Sequence, residues 1–216
     1  MSSKLSTRTG NIREFKIFQA NGGNSAEVEA AAVDIKYYED ILSNSVSLTV
    51  IITESGDSNN KKFGSRGILD GLPIRGGEAA NIIIVDHDGN KLEFKDEKKL
   101  YVNRVRNVIA GTQKDVYALD FTSREMLANE QCRVVKRYDG KISENIKKIL
   151  TEATSADVGI KTKKEVTVDE TAINYNFIGN DRKPFYVCTW LASKSIPAEA
   201  GTIGGSAGYV FYETYD

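Results

Sequence analysis

Gly71-Leu72-Pro73-Ile74-Arg75-Gly76-Gly77-Glu78-Ala79-Ala80-Asn81-Ile82-Ile83-Ile84 sets a rigid proline and two adjacent glycines directly ahead of an apolar run with strand character. Working upstream, Ser45 to Thr53 alternates more cleanly. Val46, Leu48, Val50 and Ile52 fall on one face, and Ser47, Thr49 and Thr53 on the other, as a half-buried antiparallel strand requires. Ile12 to Phe18 and Val33 to Tyr38 carry weaker versions of the same pattern. Between them Asn21 to Ser25 is a turn by composition. Ala26 to Ala32 fits a short helical turn or part of a strand equally well.

Downstream, Ile82 to Val85 and Lys91 to Phe94 flank Asp86-His87-Asp88-Gly89-Asn90. An Asp-Gly pair between two such runs predicts a hairpin, because both central positions favour φ > 0. Leu100 to Ile109 and Val116 to Phe121 read as a further antiparallel pair around Ala110 to Gln113. About seven strands by residue 121 predict a β-sandwich or barrel, since short amphipathic strands bury one face only by curling or stacking.

The pattern then changes. Thr122-Ser123-Arg124-Glu125 has the form of a capping box, with a short helix through Met126 and Leu127 to follow. Arg133 to Tyr138 returns to strand character. Ile142, Ile146, Ile149, Leu150 and Ala153 recur at helical spacing with Lys147 and Lys148 on the wet face. Thr154 to Lys164 reads as polar loop. Pro184 suits a first helical turn and carries Phe185, Cys188, Leu191 and Ala192 inward in a helix that ends before Pro197. Gly201 to Ser206 reads as a flexible loop and Gly208 to Tyr212 as a last strand. The chain is thus β-rich and α+β, with an expected division into residues 1–115 and a smaller mixed α/β domain at 116–216.

Composition narrows the function classes. The chain has 216 residues, 40% hydrophobic and 27% charged, with 29 basic against 30 acidic side chains. That is ordinary for a globular protein and carries no electrostatic footprint for nucleic acid or an anionic membrane. No apolar run reaches bilayer length, and no membrane anchor is expected. Cys132 and Cys188 form no metal or redox motif and read as buried thiols in a reducing cytoplasm.

Candidate chemistry dissolves on inspection. His87, the single histidine, falls at a hairpin tip with no partner in its pattern. Asp86-x-Asp88-Gly89 places its glycine too early for a calcium loop and lacks the later acidic ligands. Glu39 and Asp40 are adjacent on a strand end, so they point apart rather than converge as an acid–base pair. Gly64-x-x-Gly67 and Gly204-Gly205-x-x-Gly208 lack phosphate-loop companions. Ser58-x-x-Lys61 likewise lacks the motifs that accompany it in penicillin-recognising enzymes. Arg104 and Arg106, with Lys98 and Lys99, are diluted by Asp96 and Glu97. Tyr37, Tyr38, Tyr209, Phe211 and Tyr212 suit a core, a subunit interface or stacking on sugar. The reading is therefore a non-enzymatic protein without metal or cofactor. A β-barrel adhesin or carbohydrate-binding module remains the alternative, and a cell-wall hydrolase a weaker one.

Four segments taken in order carry a resemblance. They are Tyr37-Tyr38-Glu39-Asp40-Ile41-Leu42, the Gly71 to Ile84 stretch, Arg182 to Ala192, and Ala207 to Glu213. Together they resemble the baseplate hub protein of contractile-tailed, T-even-type bacteriophages, over roughly residues 12 to 216. Trp190 to Pro197 is similar to that family's helix ending in a proline. Leu119-Asp120-Phe121 with the helices after it is similar to the hub part of type VI secretion VgrG spike proteins. The resemblance implies a structural virion protein of the tail baseplate, assembled in the host bacterial cytoplasm, with a tail-tube-like N-terminal barrel and an attached α/β domain. It implies a homotrimeric ring that joins the tail tube protein to the central spike protein and adapts six-fold to three-fold symmetry. DNA would pass through the lumen without specific binding. The family continues into a second barrel, so the second domain is expected to be incomplete at its C-terminal end. On this reading Val46 to Thr53 and Leu100 to Ile109 line the lumen, and Tyr37, Tyr38 and Ile41 are candidates for the subunit interface.

Overall fold

Strands that each hide one face must share a sheet or stack, and here they share one. In the computed structural model, which describes residues 10–55, 67–111, 114–198 and 208–215, eight strands form a curled antiparallel sheet, a half-barrel. They are β1 (Asn11–Phe18), β2 (Ser25–Glu27), β3 (Ala32–Tyr38), β4 (Ser47–Glu54), β5 (Ala79–Val85), β6 (Lys91–Phe94), β7 (Leu100–Ala110) and β8 (Asp115–Ser123). Their order is β2-β1-β5-β7-β8-β4-β3, with β6 paired to β5 off this path. The undecided Ala26 to Ala32 segment turns out to be both things: it holds the end of β2 and a 3₁₀ turn at Glu29–Ala31.

The alternation places the core. Leu48, Val50 and Ile52 of β4 are fully buried, as are Phe15 and Ile17 of β1, and Leu119 and Phe121 of β8 lie against them from the same face. Phe15 meets Phe121 edge-on at 5.8 Å between ring centres. Register shifts interrupt β1 between Ile12 and Glu14 and β7 between Val102 and Arg104 and between Arg106 and Ile109. An extra residue on one strand bends it and raises its local twist, which is how a flat sheet acquires curl.

The stretch around Gly71 is a built corner. A single helical turn, α1 (Ile68–Gly71), sends Ile68 and Leu72 into the core. Gly76 and Gly77 then adopt φ of 114° and 87°, values that L side chains rarely reach. The buried Glu78 carboxylate accepts the amides of Arg75 (2.9 Å) and Gly76 (2.8 Å). Gly77 N donates to Val102 O at 2.7 Å, and Val102 N returns a bond to Glu78 O at 2.9 Å, so the corner locks onto β7. Glu54 plays a similar part at the end of β4, accepting Ile68 N at 2.8 Å. A Cβ on Gly67 would lie 2.7 Å from Glu54 Oε1, so the bond requires glycine there.

At the β5–β6 hairpin only Gly89 takes a positive φ, of 89°. Asp86 closes the five-residue loop between the two expected strand runs by accepting Asn90 N at 2.8 Å.

The division of the chain differs from the expected one. β8 pairs with β4 from Asp115 to Thr122 and with β7 on its other side, so a cut after residue 115 would remove a central strand. The chain forms two compact units, residues 1–37 with 47–123, and residues 38–46 with 124–216.

The second unit contains α2 (Arg124–Gln131), β9 (Arg137–Tyr138), α3 (Ile142–Thr151), β10 (Phe177–Ile178) and α4 (Pro184–Ala192). Because β8 runs through Ser123, Glu125 sits at the second helical position, one short of the reach a capping box needs. Its carboxylate instead accepts Thr162 Oγ1 at 2.8 Å. The strand expected over Arg133 to Tyr138 shrinks to Arg137–Tyr138, paired with β10. The α3 and α4 faces are as expected, with Ile142, Ile149, Cys188 and Leu191 fully buried and Pro184 in the first turn. Asn129, also buried, accepts Phe185 N at 2.8 Å and so satisfies an amide that α4 leaves unpaired. Tyr138 stacks on Phe177 (5.2 Å, 9°), and Trp190 meets Phe177 edge-on at 5.8 Å. Gly208 to Tyr212 joins no sheet among the described residues, and the loop expected at Gly201 to Ser206 lies outside them.

Candidate functional site

Segment 38–46 holds two of the three candidate interface residues, Tyr38 and Ile41. Asp40 accepts Leu42 N on its side chain (2.8 Å) and Ser43 N on its carbonyl (2.9 Å), closing a tight turn. That turn pushes Ile41 and Leu42 outward, 55% and 81% exposed, with Tyr38 at 53%. Glu39 accepts Tyr215 N at 3.2 Å, Asn44 accepts Thr189 Oγ1 at 3.2 Å, and Glu213 accepts Val46 N at 3.1 Å, so the segment is tied at both ends. Glu39 and Asp40 therefore each serve a backbone amide and do not converge. Of the three interface candidates, Tyr38 and Ile41 are exposed side chains. Tyr37 turns its ring to Phe94 at 5.3 Å, within the sheet unit. Leu42 is the most exposed side chain of the turn.

The second unit also holds a groove of about 1000 Å³, lined by Ile41, Ile146, Leu150, Val166, Val168, Phe185, Tyr209 and Phe211. Phe185 and Phe211 are 5.2 Å apart at the ring centres. Six charged side chains share this lining, and three of them lie close together. Lys164 Nζ is 2.6 Å from Glu213 Oε1 and 3.8 Å from Glu125 Oε2, and all three side chains are 14% exposed or less. No spacing in the sequence announces this trio, since its members come from a helix and two irregular runs.

The other candidates stay apart. His87 is exposed, 3.5 Å from Asp88. Arg106 is held by Asp120 through Nε at 2.7 Å and Nη2 at 2.9 Å, and Thr49 donates to the same carboxylate at 2.8 Å. Burial opposes the charge of Asp120, yet the hydrogen bonds from Arg106 and Thr49, with the nearby guanidinium charges, outweigh it and hold the carboxyl below its usual range. Burial raises both thiols, Cys188 most, which keeps them protonated and unreactive. Among the described residues no group of three or more His, Cys, Asp or Glu side chains is arranged to hold a metal ion, and no helix is long and apolar enough to cross a membrane.

No protein-family model matches the sequence, and no characterised protein matches it significantly. Solved structures do match. The 43 kDa tail protein of prophage MuSo2 from Shewanella oneidensis superimposes at a TM-score of 0.51 and 13% identity, over 85% of this chain and 50% of that one. A tail protein from Neisseria meningitidis MC58 matches at 0.42 and 11%, over 87% and 45%. An E. coli component of the type VI secretion system, described as similar in structure to T4 bacteriophage tail proteins, matches at 0.37 and 8%, over 88% and 41%. The chain thus spans about half the length of these proteins or less. The chain has the fold of the prophage tail protein, in line with the resemblance read from its sequence.

Proposed function

We propose that this chain is a structural subunit of a phage tail baseplate, the central hub that assembles into a ring between the tail tube and the central spike. The observation that carries this reading is the curled eight-stranded sheet with its attached helical unit, shared over 85% of the chain with a prophage tail protein. Among the described residues the sheet path ends in β2 and β3, and a sheet edge serves to extend a sheet across copies. Near-neutral charge suits a lumen through which DNA slides without being pinned. On this reading three copies form the ring and reconcile six-fold tube with three-fold spike. Val46 to Thr53 and Leu100 to Ile109 lie toward the lumen, and Tyr38 and Ile41, with Tyr37 at the end of β3, form the subunit contact. The protein works by assembly in the virion and performs no catalysis.

Sedimentation of the purified chain across concentration tests the reading. The unaltered protein is expected to self-associate, and Ile41→Asp to sediment as a folded monomer, because burying a carboxylate at an apolar contact costs several kcal/mol. A strictly monomeric unaltered protein that also ignores tube and spike proteins sinks the proposal. Selective hits on a glycan array would favour the adhesin alternative instead.

A further inference from the structure

Residues 209–215 of the second unit join no sheet among the described residues, so side chains have to hold them. Tyr209 donates its hydroxyl to Glu170 O at 2.7 Å, and the Phe211 ring packs on Phe185. Lys164 Nζ donates to Glu213 Oε1 at 2.6 Å. The seat is balanced in charge. Lys164 stands between Glu213 and Glu125, Thr162 Oγ1 donates to Glu125 Oε1 at 2.8 Å, and Arg124 Nη1 lies 3.7 Å from that same oxygen. Two cations therefore face two carboxylates, and Glu213 supplies one of the four charges.

The same segment reaches past its seat. Glu213 Oε2 accepts Val46 N at 3.1 Å, and Tyr215 N donates to Glu39 Oε2 at 3.2 Å. These bonds meet the two ends of segment 38–46, from 167 and 176 residues away in sequence, and that segment presents Tyr38, Ile41 and Leu42. Within it, Asp40 closes the turn locally through Leu42 N and Ser43 N. Local bonds fix the shape of a turn but not where it stands on the body. Its placement falls to longer ties, namely the two from residues 213 and 215 and one from Thr189 Oγ1 to Asn44 Oδ1 at 3.2 Å. The Glu213 side chain is only 11% exposed, and a carboxylate that accepts from an ammonium and an amide together is a strong fastener.

We propose that residues 209–215 are a strap that sets the position of the 38–46 turn, with Glu213 as the positioning residue. The consequence for assembly rests on the hub reading, which gives Ile41 its part in the subunit contact; the strap itself is read without it. A seated strap orders the turn before a second copy arrives. An unseated one leaves that ordering to be done on contact, which weakens association.

The test is Glu213→Ala in the full chain, followed by amide hydrogen exchange and by sedimentation. Exchange at Val46 should quicken at least about tenfold while the amides of α3 keep their protection. The dissociation constant for self-association should rise about tenfold. Glu213→Gln keeps an oxygen for Val46 N and should restore most of the protection. If Glu213→Ala does not fold, Phe211→Ala loosens the strap from Phe185 without touching the turn, and should move both readouts the same way. Ile41→Asp should do the reverse of a strap variant, abolishing association with Val46 exchange unchanged. Unaltered exchange at Val46 in a folded Glu213→Ala or Phe211→Ala variant overturns the strap, and faster exchange with unaltered association overturns its link to assembly. An unaltered protein that stays monomeric removes the hub reading instead, and exchange at Val46 then decides the strap alone.

Discussion

The two units solve the same physical problem by different means. In the sheet unit, residues 47–54 and 115–123 satisfy their backbone through ladder bonds, and the buried carboxylates Glu54 and Glu78 each accept backbone amides. In the second unit long runs have no ladder. Residues 152–176 and 208–215 are held mainly by side chains reaching to backbone or to each other, such as Ser143 with Thr171, Tyr209 with Glu170 O, and Lys164 with Glu213. A ladder leaves nothing open along its length. Side-chain fastening leaves backbone available, which is why the groove lies in the second unit.

The contrast can be broken from the sheet side first. Phe121→Ala removes a ring that is 1% exposed and packed on Phe15, and should cost about 3–5 kcal/mol in urea denaturation. Next comes the corner: Glu78→Ala strips two amides of a charged acceptor and should cost about 2–3 kcal/mol, with Glu78→Gln recovering part. On the side-chain-fastened unit, Asn129→Ala frees the Phe185 amide and should cost about 1–2 kcal/mol. Trp190, the single tryptophan, lies in that unit's aromatic cluster, so its emission should follow the change. A cost for Asn129→Ala equal to that of Phe121→Ala would erase the contrast.

The smallest effect sharpens it. Arg106 and Asp120 form a partly exposed pair, so Arg106→Ala should cost under about 1 kcal/mol near neutral pH. The folded-state pKa of Asp120 is depressed, so the pair stabilises above the ordinary carboxylate range, and its contribution fades as pH falls through the folded pKa. The stability gap between the unaltered protein and Arg106→Ala should therefore close in acid. A gap that widens as pH falls contradicts the assignment. Carboxyl NMR of Asp120 should show a titration midpoint that rises on the substitution.

Legibility followed period. The β4 alternation and the α3 spacing are set by side chains that neighbour each other in sequence, so both could be read directly. The capping box at Thr122 misled because β8 continues through Ser123, and strand pairing with Ser47 and Tyr101 overrides a local cap. Gly208 to Tyr212 was read as a strand because its alternation is real. Among the described residues it joins no sheet, and pairing is not a property of one segment. Boundaries moved for the same reason: residues 38–46 are tied by Glu39, Asn44 and Val46 to residues 215, 189 and 213, across separations no window spans.

By itself the sequence determined the strand-rich half and the helices of the second half, because these rest on the period of near neighbours. Only the tertiary structure decided what Glu54, Glu78 and Glu125 do. A carboxylate in sequence is a solvated charge by default. Whether it accepts a buried amide, as Glu78 does, or is left with an oxygen unserved, as Glu125 is, depends on which distant backbone the fold brings within about 3 Å of it.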